Sequence, residues 1–214
     1  MSNVRIGFSP TLTAGMYYSA GVVMNTFSLD IQMMTKSSNH INQNIALERA
    51  KYLVYEQFAD SIILGNDDAD QRQKFEDVGF RVIVLPSDVA DQILCLAIYC
   101  KIKAVLEDQM DIIDISIRST YGGGISYLHS EDESTGPFEE DGWWSQSTPE
   151  CSKTNTSKKK VVTLDNPTWK SLDLEWSDGN EHEDIVIEVK LEKKNEKVDT
   201  SGENVVELRP NDKK

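Results

Sequence analysis

Two hydrophobic periods alternate along the first 130 residues of this chain, and near Ser130 they give way to an acidic, turn-rich stretch. A period of two runs through Phe27, Leu29, Ile31 and Met33, set against Thr26, Ser28, Asp30 and Gln32. Successive side chains on a strand point to opposite sides, so this is a strand of about residues 21–35 with one buried face. A helical period follows over about 42–60, with Ile45, Arg49 and Leu53 beside Ala46, Ala50, Val54 and Phe58, capped by an Asn or Ser of the preceding loop.

The alternation continues. Ser61–Gly65 and Phe80–Leu85 read as short buried strands around a modest helix that Asn66–Asp68 cap and Gly79 closes. The longest helix spans about 88–108, with Ser87 or Asp88 as its N-cap, and is apolar over much of its circumference, as a helix packed on a sheet must be. Residues 111–120 alternate again with Ile113, Ile115 and Ile117 on one face, and 121–124 turn the chain into a hairpin partner at 125–128. Arg5–Phe8 reads as a short strand, and 9–15, with Pro10 and Gly15, as a loop. This order predicts an α+β domain over 1–130: a small mixed sheet with two main helices, in a ferredoxin-like, split βαβ arrangement elaborated at its edges.

Beyond Ser130 come Glu131, Asp132 and Glu133, a Gly-Pro break, and then Phe138-Glu139-Glu140-Asp141-Gly142-Trp143-Trp144. Two adjacent tryptophans in acidic, turn-rich sequence have too little apolar neighbourhood for a core of their own. Either they dock back on the domain, burying about 200 Å2 each, or they dock on a partner protein. On the second reading Phe138, Trp143 and Trp144 are anchors, and Glu139, Glu140 and Asp141 steer the arm toward a basic surface. Residues 131–160 then form an acidic, aromatic linker. Strand-like segments at 161–164, 172–176 and 185–191 predict a short β appendage over 161–194, with Trp169 and Trp176 in its core. The charged stretch 195–214 has the composition of a disordered tail.

Charge follows the same division. Residues 1–130 carry 15 acidic and 10 basic side chains, and 131–214 carry 21 and 12, for a net −14. A field of this sign disfavours non-specific binding to nucleic acid or anionic membrane. Cys95 and Cys100 lie five apart in the long helix, about 140° around it, and do not pair within it. An odd cysteine count without framework spacing, no leader pattern and no apolar run of about 18 residues point to a cytoplasmic protein.

No catalytic signature stands out, and no cofactor or metal site is expected. Gly122, Gly123 and Gly124 offer backbone amides to a phosphate, with His129 nearby, which makes a small enzyme or nucleotide binder one alternative. The run lacks the Lys and Ser/Thr of a P-loop, and a hairpin turn accounts for it. His129 with Glu131 and Glu133 is a metal-compatible set that a solvated strand end also explains. Asp111 and Asp114 point to opposite faces of a regular strand and share a ligand only across a bulge.

The stretch Asn25-Thr26-Phe27-Ser28-Leu29-Asp30, followed by Asn42-Gln43-Asn44-Ile45-Ala46-Leu47-Glu48-Arg49-Ala50-Lys51-Tyr52-Leu53, resembles small uncharacterised proteins of large tailed bacteriophages. That resemblance covers about residues 20–65 and carries no functional residue. It implies an accessory protein that works in a host cytoplasm on host machinery. The leading expectation is therefore a non-enzymatic, acidic protein-binding protein. The alternatives are a small enzyme or nucleotide binder and a structural or assembly component whose β segments add to a neighbour.

Overall fold

In a computed structural model of the chain, seven strands among the described residues form one mixed sheet: β1 (Arg5–Phe8), β2 (Thr11–Tyr18), β3 (Gly21–Thr35), β4 (Ser61–Gly65), β5 (Arg81–Leu85), β6 (Met110–Ser119) and β7 (Ser126–Ser130). The described residues are 4–66, 68–151 and 167–177. All lie in the compact unit Met1–Glu181, and the second unit, His182–Lys214, falls outside them. Three α-helices connect the strands: α1 (His40–Tyr52), which runs on as a π-helical turn over Leu53–Phe58, α2 (Ala69–Asp77) and α3 (Asp91–Leu106). The fold is α+β.

β3 is the spine of the sheet. On one edge it pairs antiparallel with β1 through Ile31–Met34 and then with β2 through Gly21–Ser28. On its other edge it pairs antiparallel with β6 from Phe27 to Thr35. β4 adds parallel to β2, β5 parallel to β4, and β7 closes the far edge on β6, giving the order β5-β4-β2-β3-β6-β7. Phe27, Leu29, Ile31 and Met33 are all buried, as the alternation requires, and join side chains of α1, the π-helical turn and α3 in one core. On the opposite face Ile62, Leu64 and Val82 make a smaller cluster, with Tyr17 and Phe75 of α2 packed edge to face at 5.6 Å.

β2 corrects the loop expected over 9–15. Pro10 and Gly15 read as turn signals, yet Gly15 lies inside the strand, opposite Met24. A Cβ there would come within 2.7 Å of Ile62 Cδ1 and 2.7 Å of Val22 Cγ1, so the glycine permits a close approach within the sheet.

β6 carries a bulge. Gln32 pairs with Asp114 and Met33 with Ile112, which leaves Ile113 as the extra residue. Ile112 and Ile115, three apart, therefore both enter the core, while Asp111 and Asp114 both stay out of it. The bulge overturns the expected Ile113-Ile115-Ile117 face. Asp111 is engaged by Lys36 at 3.2 Å.

The caps follow the sequence at two helices and depart from it at the third. Asn39 accepts from Ile41 and Asn42 amides at the start of α1, and Asp68 accepts from Gln71 at the start of α2. α3 begins after Ala90, without a side-chain cap, and Asp88 instead accepts from Asn66 Nδ2 at 3.2 Å.

The segment 172–176, expected as a strand, is turn and extended chain within a strap over 167–177. Arg49 of α1 holds it. The guanidinium lies 3.6 Å from the Trp176 ring and 4.6 Å from the Trp169 ring, and donates to Leu174 O at 2.9 Å. Val105 O at 3.3 Å and Glu107 Oε1 at 3.2 Å accept its other bonds. Asn42 and Ser177 exchange two further bonds, at 3.2 and 2.8 Å. The appendage strands expected at 161–164 and 185–191 lie outside the described residues, as does the 195–214 tail.

The glycine inside β2 gives a direct test. Gly15→Val should lower the unfolding free energy by about 1–3 kcal/mol, read from urea titration. Unchanged stability would show that β2 does not approach β4 and β3 this closely.

Candidate functional site

The acidic-aromatic segment folds onto the domain. Phe138, Trp143 and Trp144 are all buried in the main core, while Glu139, Glu140 and Asp141 remain exposed. Trp144 stacks edge-on with Phe138 at 5.2 Å and with Trp143 at 5.7 Å, and Trp143 packs near Phe58 at 6.0 Å. Both indole N–H groups have backbone acceptors: Val84 O at 2.9 Å for Trp143, and Phe138 O at 3.1 Å and Glu140 O at 2.9 Å for Trp144. Of the two readings of the tryptophans, the structure takes the inward one. As an exposed arm with three aromatic anchors, the site does not form in this fold.

Burial of the three aromatic side chains drives this docking, and Lys101 fixes where the backbone of the segment lies. Lys101 sits on the buried stripe of α3 with Leu94, Ile98 and Val105. Its fully buried side chain donates to Trp143 O at 3.0 Å and Gln146 O at 2.8 Å. Burial pushes its pKa down to about 8, against the opposing pull of Cys151 and Glu150. The same burial pushes the Cys151 and Cys95 thiols up to about 12 and Cys100 up to about 11. None of the three is an activated nucleophile.

A groove lies on the other side of α3. β7 is an edge strand, and its register against Ile117 and Ile115 turns Tyr127 and His129 toward the helix layer. The His129 ring packs edge to face on Tyr99 at 4.4 Å and is only 5% exposed. Its Nδ1 lies 3.5 Å from Glu133 Oε2, which also accepts from the Ser130 amide at 2.9 Å. Its Nε2 is buried without a hydrogen-bond partner. Desolvation lowers the His129 pKa more than Glu133 raises it, and Lys103 adds to the lowering, so the imidazole is neutral at pH 7. Gln92, Cys95 and Leu96 of α3, Tyr127 to His129 of β7, and Glu133 and Ser134 of the following loop line an open hollow of about 410 Å3. A second hollow of about 400 Å3, between α1 and the strap, is bordered by Glu48, Lys51, Tyr55 and Glu56 and has no buried polar side chain in its lining.

The triple glycine is not part of this groove. Gly123 and Gly124, at φ +63° and +82°, close the β6–β7 hairpin in the left-handed region that glycine favours. Gly122 packs over the 2.5 Å hydrogen bond from Ser119 to Asp91, where a Cβ would come within 3.0 Å of Asp91 Oδ2. Of the expected ligand set only His129 lines the groove, joined by Gln92, Tyr127 and Ser134, which sequence reasoning did not select. Period-two alternation in β7 carried the signal for Tyr127. Nothing local marks Gln92. No three His, Cys, Asp or Glu side chains gather as a metal site among the described residues. Among the same residues, no helix is long and apolar enough to cross a membrane.

No protein-family model and no curated protein matches the chain. Among solved structures it is similar to an uncharacterised protein, WS1659, from Wolinella succinogenes, with a TM-score of 0.42 and 8% identity over 62% of this chain and 100% of that one. The 6-pyruvoyl tetrahydropterin synthase of Plasmodium falciparum aligns at TM-score 0.40 and 10% identity over 60% of this chain and 98% of that one. A catalytic-residue mutant of the Plasmodium vivax enzyme aligns at 0.38 and 6%, over 61% and 99%. At these scores the similarity carries no argument about what this chain does.

Lys101 sets a pH signature. Its proton leaves the folded chain near pH 8 and the unfolded chain near 10.5, so across pH 8 to 9 the unfolded state holds more protons and stability rises. Above about pH 9 the unfolded thiols ionise first and stability falls. Relative to Lys101→Met, the wild-type protein should therefore gain about 1 kcal/mol between pH 8 and 9 in chemical denaturation. Parallel curves for the two proteins would show that Lys101 is not buried as a cation.

Proposed function

We propose that this chain binds a small organic molecule in the groove between α3 and β7. This differs from the small-enzyme or nucleotide-binding alternative raised by the sequence, which used the Gly122–Gly124 loop, and shares with it only His129. The observation that carries it is convergence: Gln92, Tyr127, His129, Glu133 and Ser134 come from three separate elements to one hollow of about 410 Å3. That volume lies in the range of small-molecule sites, which pair apolar walls with a few placed polar groups. Leu96 supplies apolar wall beside them. His129 adds a buried imidazole whose Nε2 has no hydrogen-bond partner, a state that costs a fold about 1–3 kcal/mol.

The test is a fragment screen on the full chain by heteronuclear NMR. Binding fragments should perturb the amides of Leu96, Tyr127, His129 and Ser134 together, and Tyr127→Ala with His129→Ala should remove the response. Perturbations that cluster elsewhere, or none from a diverse library, would overturn the reading.

A different observation favours a second reading, a protein partner. Val22, Val23 and Met24 near the β2–β3 turn are exposed, as are Tyr121 and Ile125 of the β6–β7 turn. The Tyr121 amide donates to Asn25 Oδ1 at 3.3 Å, which brings the two turns side by side. If this patch is an interface, Val23→Asp with Met24→Asp should abolish capture of a host protein that the wild-type chain captures, and capture that survives the change would exclude it.

A further inference from the structure

We infer that the groove between α3 and β7 selects an organic cation, a primary amine or amidine on an apolar body. This deepens the reading proposed above and rests on it.

The charged side chain in the lining is Glu133. Its side chain is 59% exposed, and the bond from the Ser130 amide to Oε2, at 2.9 Å, fixes how the carboxylate is presented. Glu133 thus presents a solvated negative charge at the groove, and its neighbour does not neutralise it. His129 faces Glu133 Oε2 at 3.5 Å from a packed position against Tyr99, where the imidazolium form is disfavoured by loss of water. Lys103, the cation on the next turns of α3, is turned to Tyr99 instead, with Nζ 3.4 Å from its hydroxyl and 5.5 Å from its ring.

The rest of the lining suits the same ligand. Tyr127 brings an aromatic ring, a group that attracts organic cations, and Leu96 takes apolar surface. Gln92 supplies a neutral amide acceptor for a remaining N–H of an ammonium or amidinium, while Ser134 Oγ is engaged with Glu139 at 2.6 Å and the Gly136 amide at 3.1 Å. Glu131 and Asp132, exposed just before Glu133 in the chain, repeat its sign, and the whole chain carries a net −14. Such a field raises the local concentration of cations and lowers that of anions. A nucleotide or another phosphorylated ligand meets repulsion here from every carboxylate named.

The test compares three probes of nearly one shape: benzamidine, benzamide and benzoate. Each is titrated into the full chain while the amides of Tyr127, Ser130 and Ser134 are followed by NMR. Benzamidine should bind at least about tenfold more tightly than benzamide and weaken as salt rises, and benzoate should bind least. Glu133→Gln keeps an acceptor for the Ser130 amide, so it preserves the loop while it removes the charge, and it should bring the benzamidine-to-benzamide ratio to about one. If benzamide or benzoate binds the groove as well as benzamidine, or if Glu133→Gln keeps the preference, the inference of a cation falls while the small-molecule reading stands. If none of the three perturbs these amides at millimolar concentration, the cation inference falls as well, and the broader fragment screen decides the reading it rests on.

Discussion

A lysine ammonium without water must be given acceptors, and in this protein that requirement organises everything after the sheet. Lys101 stands on the apolar stripe of α3, and its partners are backbone carbonyls of Trp143 and Gln146. Leaving a buried cation without acceptors would cost several kcal/mol, so the segment that carries those carbonyls is part of the fold. Once Trp143 and Trp144 are seated, the loop from Ser130 to Phe138 has fixed ends. Glu133 and Ser134 lie on that loop, and so the outer wall of the groove depends on a lysine on another face of the same helix.

Arg49 repeats the device on α1. It also occupies a buried stripe, among Ala46, Ala50 and Leu53, and its bonds go to the carbonyls of Leu174 and Val105 and to Glu107. Two indoles flank its guanidinium at 3.6 and 4.6 Å, the arrangement in which a desolvated cation gains most from aromatic faces. Both helices thus use one cation, set where an aliphatic residue belongs, to bind a segment that has neither α-helix nor strand, the first with only short 3-10 turns. Burying a charge in this way is specific, because only a chain that delivers carbonyls at the right place satisfies it.

That device also explains what the sequence showed and what it concealed. β3, β6, α1 and α3 were legible because each repeats a period over many residues, and α2 because Asp68 and Gly79 mark its ends; Phe27 to Met33 lie where the period of β3 puts them. β2 was not, since Gly15 and Pro10 carry the same local signal in a tight strand as in a turn, and only the Ile62 and Val22 side chains decide between them. The bulge at Ile113 was invisible for a similar reason: it is a property of the pairing with Gln32 and Met33, not of β6 alone. For the tryptophans, the residue that fixes where their backbone lies is about 40 positions upstream. A charged residue on an apolar helical stripe, Lys101 or Arg49, is the mark that could have been read, because it demands an acceptor that the helix cannot supply. For the groove, His129 and Glu133 were visible as a pair, but Gln92 and Tyr127 join them only through the packing of α3 against β7.

The groove and the closed core answer to opposite electrostatic demands, and both are set by burial. Inside, Lys101 has backbone carbonyls for company, so its charge is tolerated at the expense of a lowered pKa. At the groove, His129 is neutral and Glu133 stays at the surface, so a negative charge is presented beside an aromatic wall with no cation in the lining to cancel it. Protonating His129 would place an imidazolium 3.5 Å from that carboxylate and reverse the local balance. The fold resists this by packing the ring against Tyr99, and the chemical character of the groove therefore rests on an aromatic contact inside the core.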